Sequence, residues 1–156
     1  MTRPLYYPVF LDLDGKRVLV VGAGKVALRK TRGLVEAGAR VTVVAPRWEA
    51  AFEQMAVELR RRKFRASDLR GAALVFTATD DRAVNRAVGE AARRQGIPAN
   101  VADAPAECGF LVPARVRRGA VQIAISTSGR DPRRAAELKR RIAEWLASQA
   151  TIEVSP

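Results

Sequence analysis

Two features of this sequence define chemistry through residue type and spacing alone. The first is Gly22-Ala23-Gly24-Lys25-Val26-Ala27, a G-x-G-x-x-A run between an apolar stretch and a helical pattern. In such a run the first glycine permits a tight turn and the second lets backbone approach a pyrophosphate. The small last residue lets a helix pack closely on a strand. The helix that follows offers unpaired N–H groups and the positive end of its dipole to the phosphates. Dinucleotide binding is the chemistry implied; the alternative is a merely tight strand-to-helix turn. The second feature is the lack of any histidine. Acid–base work therefore falls to carboxylates, lysines, tyrosines or the single cysteine, Cys108, and a fixed zinc site loses its commonest ligand. No metal ligand is assigned.

Other candidates lie further along. The strand after the glycine run ends Val44-Ala45-Pro46-Arg47, without the acidic residue that usually holds the ribose hydroxyls of NAD. Arg47 would suit a 2′-phosphate, so the fingerprint alone leaves NAD and NADP both open. Asp80 and Asp81 stand where a helix begins, and their main reading is as N-cap and first-turn acids. Asp103 lies just beyond a strand end, either as a general base or closing an Asx turn before Pro105. Ser126-Thr127-Ser128-Gly129 precedes a helix and reads as an anion-binding loop or as caps. Nothing around Cys108 marks a thiolate, and it reads as a small filler.

These groups need elements to position them. Arg17-Val18-Leu19-Val20-Val21, after the turn signal Asp14-Gly15, predicts a strand buried on both faces. A helix to Ala37 follows, with Val26, Ala27, Leu34 and Val35 at helical spacing and Gly38 at its C-terminal end. Val41 to Ala45 predicts a second buried strand, Trp48 to Met55 a short helix, and Val57 to Arg62 an edge strand. Ala73 to Thr77 is a further buried strand. Asp81 to Gln95 is an amphipathic helix with Ala83, Val84, Ala87, Val88, Ala91 and Ala92 on its apolar face. Asn100 to Ala102 completes an α/β fold, a Rossmann-like doubly wound parallel sheet. Beyond Pro105 the pattern changes. Phe110 to Val116 and Val121 to Ser126 predict two strands joined by Arg117-Arg118-Gly119-Ala120. A helix opens at Asp131-Pro132 and runs to about Gln149, with Leu138, Ile142, Trp145 and Leu146 as its apolar stripe.

Composition bounds the function. An apolar share of 48% over 156 residues supports a sizeable core. No apolar run reaches a membrane span, and the N-terminal Met1 to Pro8 lacks a secretory pattern, so a cytoplasmic protein is expected. Lys and Arg number 28 against 16 Asp and Glu, a net charge of +12. That field favours polyanions, including small molecules with many carboxylates, although solvated arginine faces account for part of it. A nucleic-acid partner is not expected, because the basic residues are spread and no aromatic-studded or helix-turn-helix pattern accompanies them.

Several segments together resemble the precorrin-2 dehydrogenase family, the N-terminal module of siroheme synthases. They are Val20 to Ala27 with Arg29-Lys30, Ala37-Gly38-Ala39 with Val41 to Pro46, and Thr77-Ala78-Thr79-Asp80-Asp81 with Val84-Asn85. Asn100-Val101-Ala102-Asp103-Ala104-Pro105 follows, and the opening Pro8 to Leu13 and the later Ala124 to Gly129 with Pro132 agree. The resemblance implies oxidation of precorrin-2 to sirohydrochlorin in siroheme synthesis by a homodimer. It implies NAD as cofactor, since the family reads Ala-Pro or similar after its second strand while using NAD. Some members also insert ferrous iron.

By the same resemblance the dinucleotide contacts Gly22, Gly24, Lys25, Val26, Pro46, Arg47 and the strand end Thr77, Ala78, Thr79 and Asp80. Asp103 becomes the general base, and Asn100, Ser126, Thr127, Ser128 and Arg130 bind the tetrapyrrole substrate. The organisation implied is an NAD-binding domain over 1–113 and a dimerisation and substrate-binding segment over 114–156. The family's further C-terminal helical region has no counterpart before Pro156, so part of the substrate pocket is expected to be either missing or supplied by a partner. A rival of another class, a dinucleotide-sensing regulatory module without catalysis, needs the same glycines but no Asp103.

Overall fold

The computed structural model describes residues 6–149. The N-terminal Met1 to Leu5 and residues 150–156 of the expected second segment lie outside the described residues. The described residues divide into two compact units, one of Val9–Phe110 and one of residues 111–149 with residues 6–8.

The larger unit is built on five parallel strands. These are β1 (Arg17–Val21), β2 (Arg40–Ala45), β3 (Glu58–Arg61), β4 (Leu74–Thr77) and β5 (Ala99–Val101), in the spatial order β3-β2-β1-β4-β5. Helix α1 (Lys25–Glu36) follows β1, and α2 (Arg82–Arg94) follows β4. Side-chain alternation sends each central strand into two cores at once. Val18 and Val20 of β1 join Ala27 and Leu34 of α1, with Val41, Val43, Leu74 and Phe76. Leu19 and Val21 join Val88, Ala91 and Ala92 of α2, with Val44 and Val75. Each fully enclosed Val or Leu contributes roughly 1.5–3 kcal/mol through burial.

Two helix faces differ from the periodicity reading. Val26 is exposed at the first turn of α1, and the buried residues are Ala27, Thr31 and Leu34. In α2, Ala83 and Ala87 are exposed, while Asn85 and Gly89 are buried beside Val88, Ala91 and Ala92. A Cβ on Gly89 would meet Val101 Cγ2 at 3.0 Å, so helix and strand close together only because that position is glycine.

The second unit pairs β6 (Ala114–Arg118) antiparallel with β7 (Val121–Ile125), followed by α3 (Pro132–Ser148). The first of these strands starts at Ala114 rather than Phe110, since Pro113 has no N–H for a ladder. Arg117 and Arg118 belong to the strand, leaving Gly119, at φ +56°, and Ala120 as the turn. Phe110 belongs to the larger unit, where its ring meets Phe76 edge-on at 5.3 Å. Of the α3 stripe, Leu146 is buried, Leu138 and Ile142 are half-buried, and Trp145 is 56% exposed. Among the described residues no helix is long and apolar enough to cross a membrane.

Candidate functional site

Strand order reverses between β1 and β4, and ligands of such sheets lie outside the carboxyl ends of the strands at that point. The glycine run occupies this place. Gly22, at φ +99°, turns the chain directly beneath the end of β4: a Cβ there would lie 2.4 Å from the Ala78 carbonyl oxygen. Its N–H donates to Val44 O at 3.0 Å, and Ala78 N–H donates to Val21 O at 2.9 Å, tying three strand ends together. Gly24 is the N-cap of α1. No atom lies within 4 Å of where its Cβ would sit. No side chain caps the helix and no acid occupies its first turn. Its leading N–H groups thus face open space with the positive end of the dipole behind them, a backbone cradle that fits a pyrophosphate. Lys25 and Val26 are exposed beside it, while Ala27 is fully buried against the sheet.

Around this cradle the other expected cofactor residues divide into those that line the edge and those that support it. Pro46 and Arg47 are exposed after β2, and Glu49 N–H donates to Ala23 O at 3.1 Å, binding their loop to the glycine turn. Ala78, Thr79 and Asp80 follow β4 with partial or full exposure. Thr77 is instead completely enclosed, its hydroxyl 2.7 Å from Asn85 Oδ1. It shapes the edge without facing a ligand.

Asn85 is the residue here that no motif had singled out for a role. Its Oδ1 also accepts from Thr79 N–H at 3.0 Å and lies 2.8 Å from Thr79 Oγ1, while its Nδ2 donates to Thr79 O at 3.0 Å. One buried amide thus fixes the bend that meets Gly22. The available signal was a polar residue on the apolar face of a helix, one turn from its cap. Asp81 is that cap, accepting from the Ala83 and Val84 N–H groups at 2.8 and 3.2 Å.

At the end of β5, Asp103 is exposed, and Arg82 Nε stands 3.9 Å from its Oδ2. The turn there is closed by backbone, with Ala104 N–H donating to Val101 O at 3.2 Å. Among the described residues no hydrogen bond joins the Asp103 carboxylate to a following N–H, so an Asx turn does not occupy it. Arg82 also pairs with Glu107, which leaves it shared between two acids.

Asn100, expected against substrate, is 5% exposed. Its Oδ1 accepts from Lys30 Nζ at 2.8 Å, and its Nδ2 donates to Phe110 O at 3.1 Å. It therefore braces the strand rather than presenting its amide outward. Lys30 lies 5.4 Å from the centre of the Phe76 ring, and desolvation, then the charge of Arg29, pushes its pKa down. The Cys108 thiol sits 3.2 Å from both Val101 N and Val101 O, with its pKa pushed up by burial, so it is a clip on β5 and not a thiolate.

In the second unit, the residues before α3 are largely satisfied among themselves. Ser128 N–H donates to Ser126 Oγ at 3.0 Å, and Thr127 Oγ1 donates to Asp131 O at 2.9 Å. Asp131 caps α3 by accepting from Arg134 N–H at 2.8 Å. Ser126 and Arg130 are exposed, and Ser128 holds a left-handed φ of +56°. Among the described residues no group of three His, Cys, Asp or Glu could hold a metal ion.

Comparison with known proteins gives three kinds of match. A family model described as "Putative NAD(P)-binding" matches residues 9–114. The siroheme synthase of Methylococcus capsulatus is 46% identical over 148 residues, covering 92% of this chain and 31% of that protein. The siroheme synthase of Pseudomonas aeruginosa is 42% identical over 147 residues, covering 92% and 32% respectively. The chain thus spans about a third of the length of these relatives. Among solved structures, SirC, a precorrin-2 dehydrogenase, matches with a TM-score of 0.73 at 34% identity, over 94% of this chain and 72% of that one.

Proposed function

This chain belongs to the precorrin-2 dehydrogenase family, within the NAD(P)-binding proteins, and on that premise we propose that it oxidises precorrin-2 to sirohydrochlorin with NAD⁺. The observation that carries the reading is the uncapped, open helix start at Gly24, on the same sheet edge as the strand-end carboxylate Asp103. Gly22, Gly24, Lys25 and Val26 would hold the pyrophosphate, Pro46 and Arg47 the adenosine side, and Ala78, Thr79 and Asp80 the far side of the turn. When bound, the nicotinamide supplies a hydride acceptor.

The chain's own contribution is to position the substrate and take up the proton. Loss of two electrons and two protons from the macrocycle sends one proton with the hydride and leaves the other for a base. Asp103 takes the second proton, and Arg82, whose Nε stands 3.9 Å from Asp103 Oδ2, orients the carboxylate. Ser126, Thr127, Ser128 and Arg130, with the basic residues of α3, receive substrate carboxylates. The protein works as a homodimer in the cytoplasm, joined through its second unit, with neither nucleic acid nor membrane as partner.

The test is Asp103→Asn, which keeps the shape of the side chain and removes the base. Turnover of precorrin-2 falls by about 10²–10⁴-fold, while NAD⁺ affinity measured by titration stays within about twofold, because backbone holds the phosphates. A fully active Asp103→Asn variant removes Asp103 from the mechanism. A wild-type chain that binds NAD⁺ yet turns nothing over supports the regulatory dinucleotide sensor instead.

A further inference from the structure

We infer that Lys30 is a binding point for one carboxylate of the tetrapyrrole substrate; this rests on the substrate reading above. Lys30 follows Ala27 by three residues and precedes Leu34 by four, so its stem leaves α1 along the buried side of the helix. Its ammonium reaches across β4 to β5, donating to Asn100 Oδ1 at 2.8 Å and lying 5.4 Å from the centre of the Phe76 ring. Phe76 and Asn100 are register partners, each one residue before the end of its strand. Asp103 stands three residues beyond Asn100, so their Cα atoms are at most roughly 10 Å apart. A macrocycle with acid arms bridges such a span, and one arm on Lys30 leaves the ring free to meet Asp103.

The cation is short of a counter-charge. Taking an ammonium out of water is costly unless an anion faces it. Lys30 is half-buried, and among the described residues no carboxylate pairs with it. Its partners are a neutral amide and a ring face. Desolvation, then the neighbouring Arg29 charge, pushes its pKa down, and only Cys108 acts the other way. Burial keeps that thiol protonated, so it supplies no charge. Asn100 is itself fixed, its Nδ2 donating to Phe110 O at 3.1 Å while the Phe110 ring packs edge-on against Phe76. An ammonium has three donors, and Asn100 occupies one. A braced amide and a packed ring thus hold the others for an anion that the chain does not provide and a polycarboxylate substrate does.

Titration of sirohydrochlorin into the NAD-free protein, followed by its visible absorbance, tests this without turnover, because the oxidation leaves the acid arms intact. In Lys30→Met, which keeps an unbranched apolar stem, affinity for sirohydrochlorin falls by about tenfold, while NAD⁺ affinity stays within about twofold of wild type. Lys30→Arg, which keeps the charge, binds sirohydrochlorin within about threefold of wild type. With precorrin-2 as substrate, Lys30→Met raises KM by about tenfold and leaves kcat within about threefold. Unchanged sirohydrochlorin binding in Lys30→Met overturns the inference. So does an equal loss in Lys30→Arg, or a matching loss of NAD⁺ affinity in Lys30→Met, since either marks a structural prop. Failure of the wild-type protein to bind sirohydrochlorin overturns the substrate reading itself, and this inference with it.

Discussion

Gly22 and Gly24 stand two residues apart and are glycine for opposite reasons. At Gly22 the surroundings forbid a side chain, with backbone 2.4 Å from the Cβ position and φ at +99°. At Gly24 the protein leaves the space open, and only a ligand would occupy it. Gly22→Ala is therefore expected to unfold more easily, by roughly 1–3 kcal/mol, seen as a lower melting temperature. Gly24→Val is expected to melt within a few degrees of wild type and to lose NAD⁺ binding in a titration. A Gly24→Val protein that binds NAD⁺ normally would refute the cradle. Both glycines were legible in the sequence because their requirement is local, a turn and a backbone approach. Thr77 and Asn100 were not legible as enclosed residues, since what encloses them comes from elsewhere in the chain, Asn85 on α2 and Lys30 on α1. The catalytic role proposed for Asp103 comes from family resemblance, and among the described residues no hydrogen bond of its carboxylate closes an Asx turn.

Most elements could be read from apolar runs and turn residues, because buried parallel strands leave an unambiguous Val- and Leu-rich signature. The faces of the helices were harder. Alanine is nearly indifferent to burial, so Ala83 and Ala87 looked equivalent to Ala91 and Ala92 until the sheet selected Asn85 and Gly89 instead. The edge strand β3 shows an element held by charge as well as by core, where Leu59 packs. Asp68, on a short 3-10 turn at Ala66–Leu69, is 1% exposed and receives Arg62 at 2.6 Å, Arg60 at 3.0 Å and the Arg65 N–H at 2.9 Å. Its pKa is held at about 2, chiefly by the hydrogen bond from Arg62 and against the desolvation that burial imposes. A folded pKa below the unfolded value means stability that is present above the unfolded pKa of about 4 and lost as pH falls through about 2. Asp68→Asn is expected to lower stability at pH 7 by on the order of 2 kcal/mol and to flatten the loss between about pH 4 and pH 2. Parallel thermal melts across that window check this, and an unchanged acid profile in the variant would refute it.

At the scale of the whole molecule, the second unit carries apolar surface that its own three elements do not cover. Trp145 is 56% exposed and Val112 49% exposed, with Leu138 and Ile142 half-buried. Pairing two copies through this unit would bury on the order of 2,000 Å². Light scattering is expected to give a dimer at micromolar concentration, and Trp145→Glu to shift it toward monomer; a stable wild-type monomer would refute the pairing. The change of pattern after Pro105 was legible in the sequence. The Phe110 ring against Phe76 was not, because only the tertiary fold brings the two together. The proposed oxidation of precorrin-2 at the expense of NAD⁺ can be followed by reduced nicotinamide absorbance after the purified chain is mixed with precorrin-2 and NAD⁺. One reduced nicotinamide is expected for each sirohydrochlorin formed, at a rate proportional to protein concentration. NAD⁺ binding without any reduction, in protein that is folded and dimeric, would contradict it.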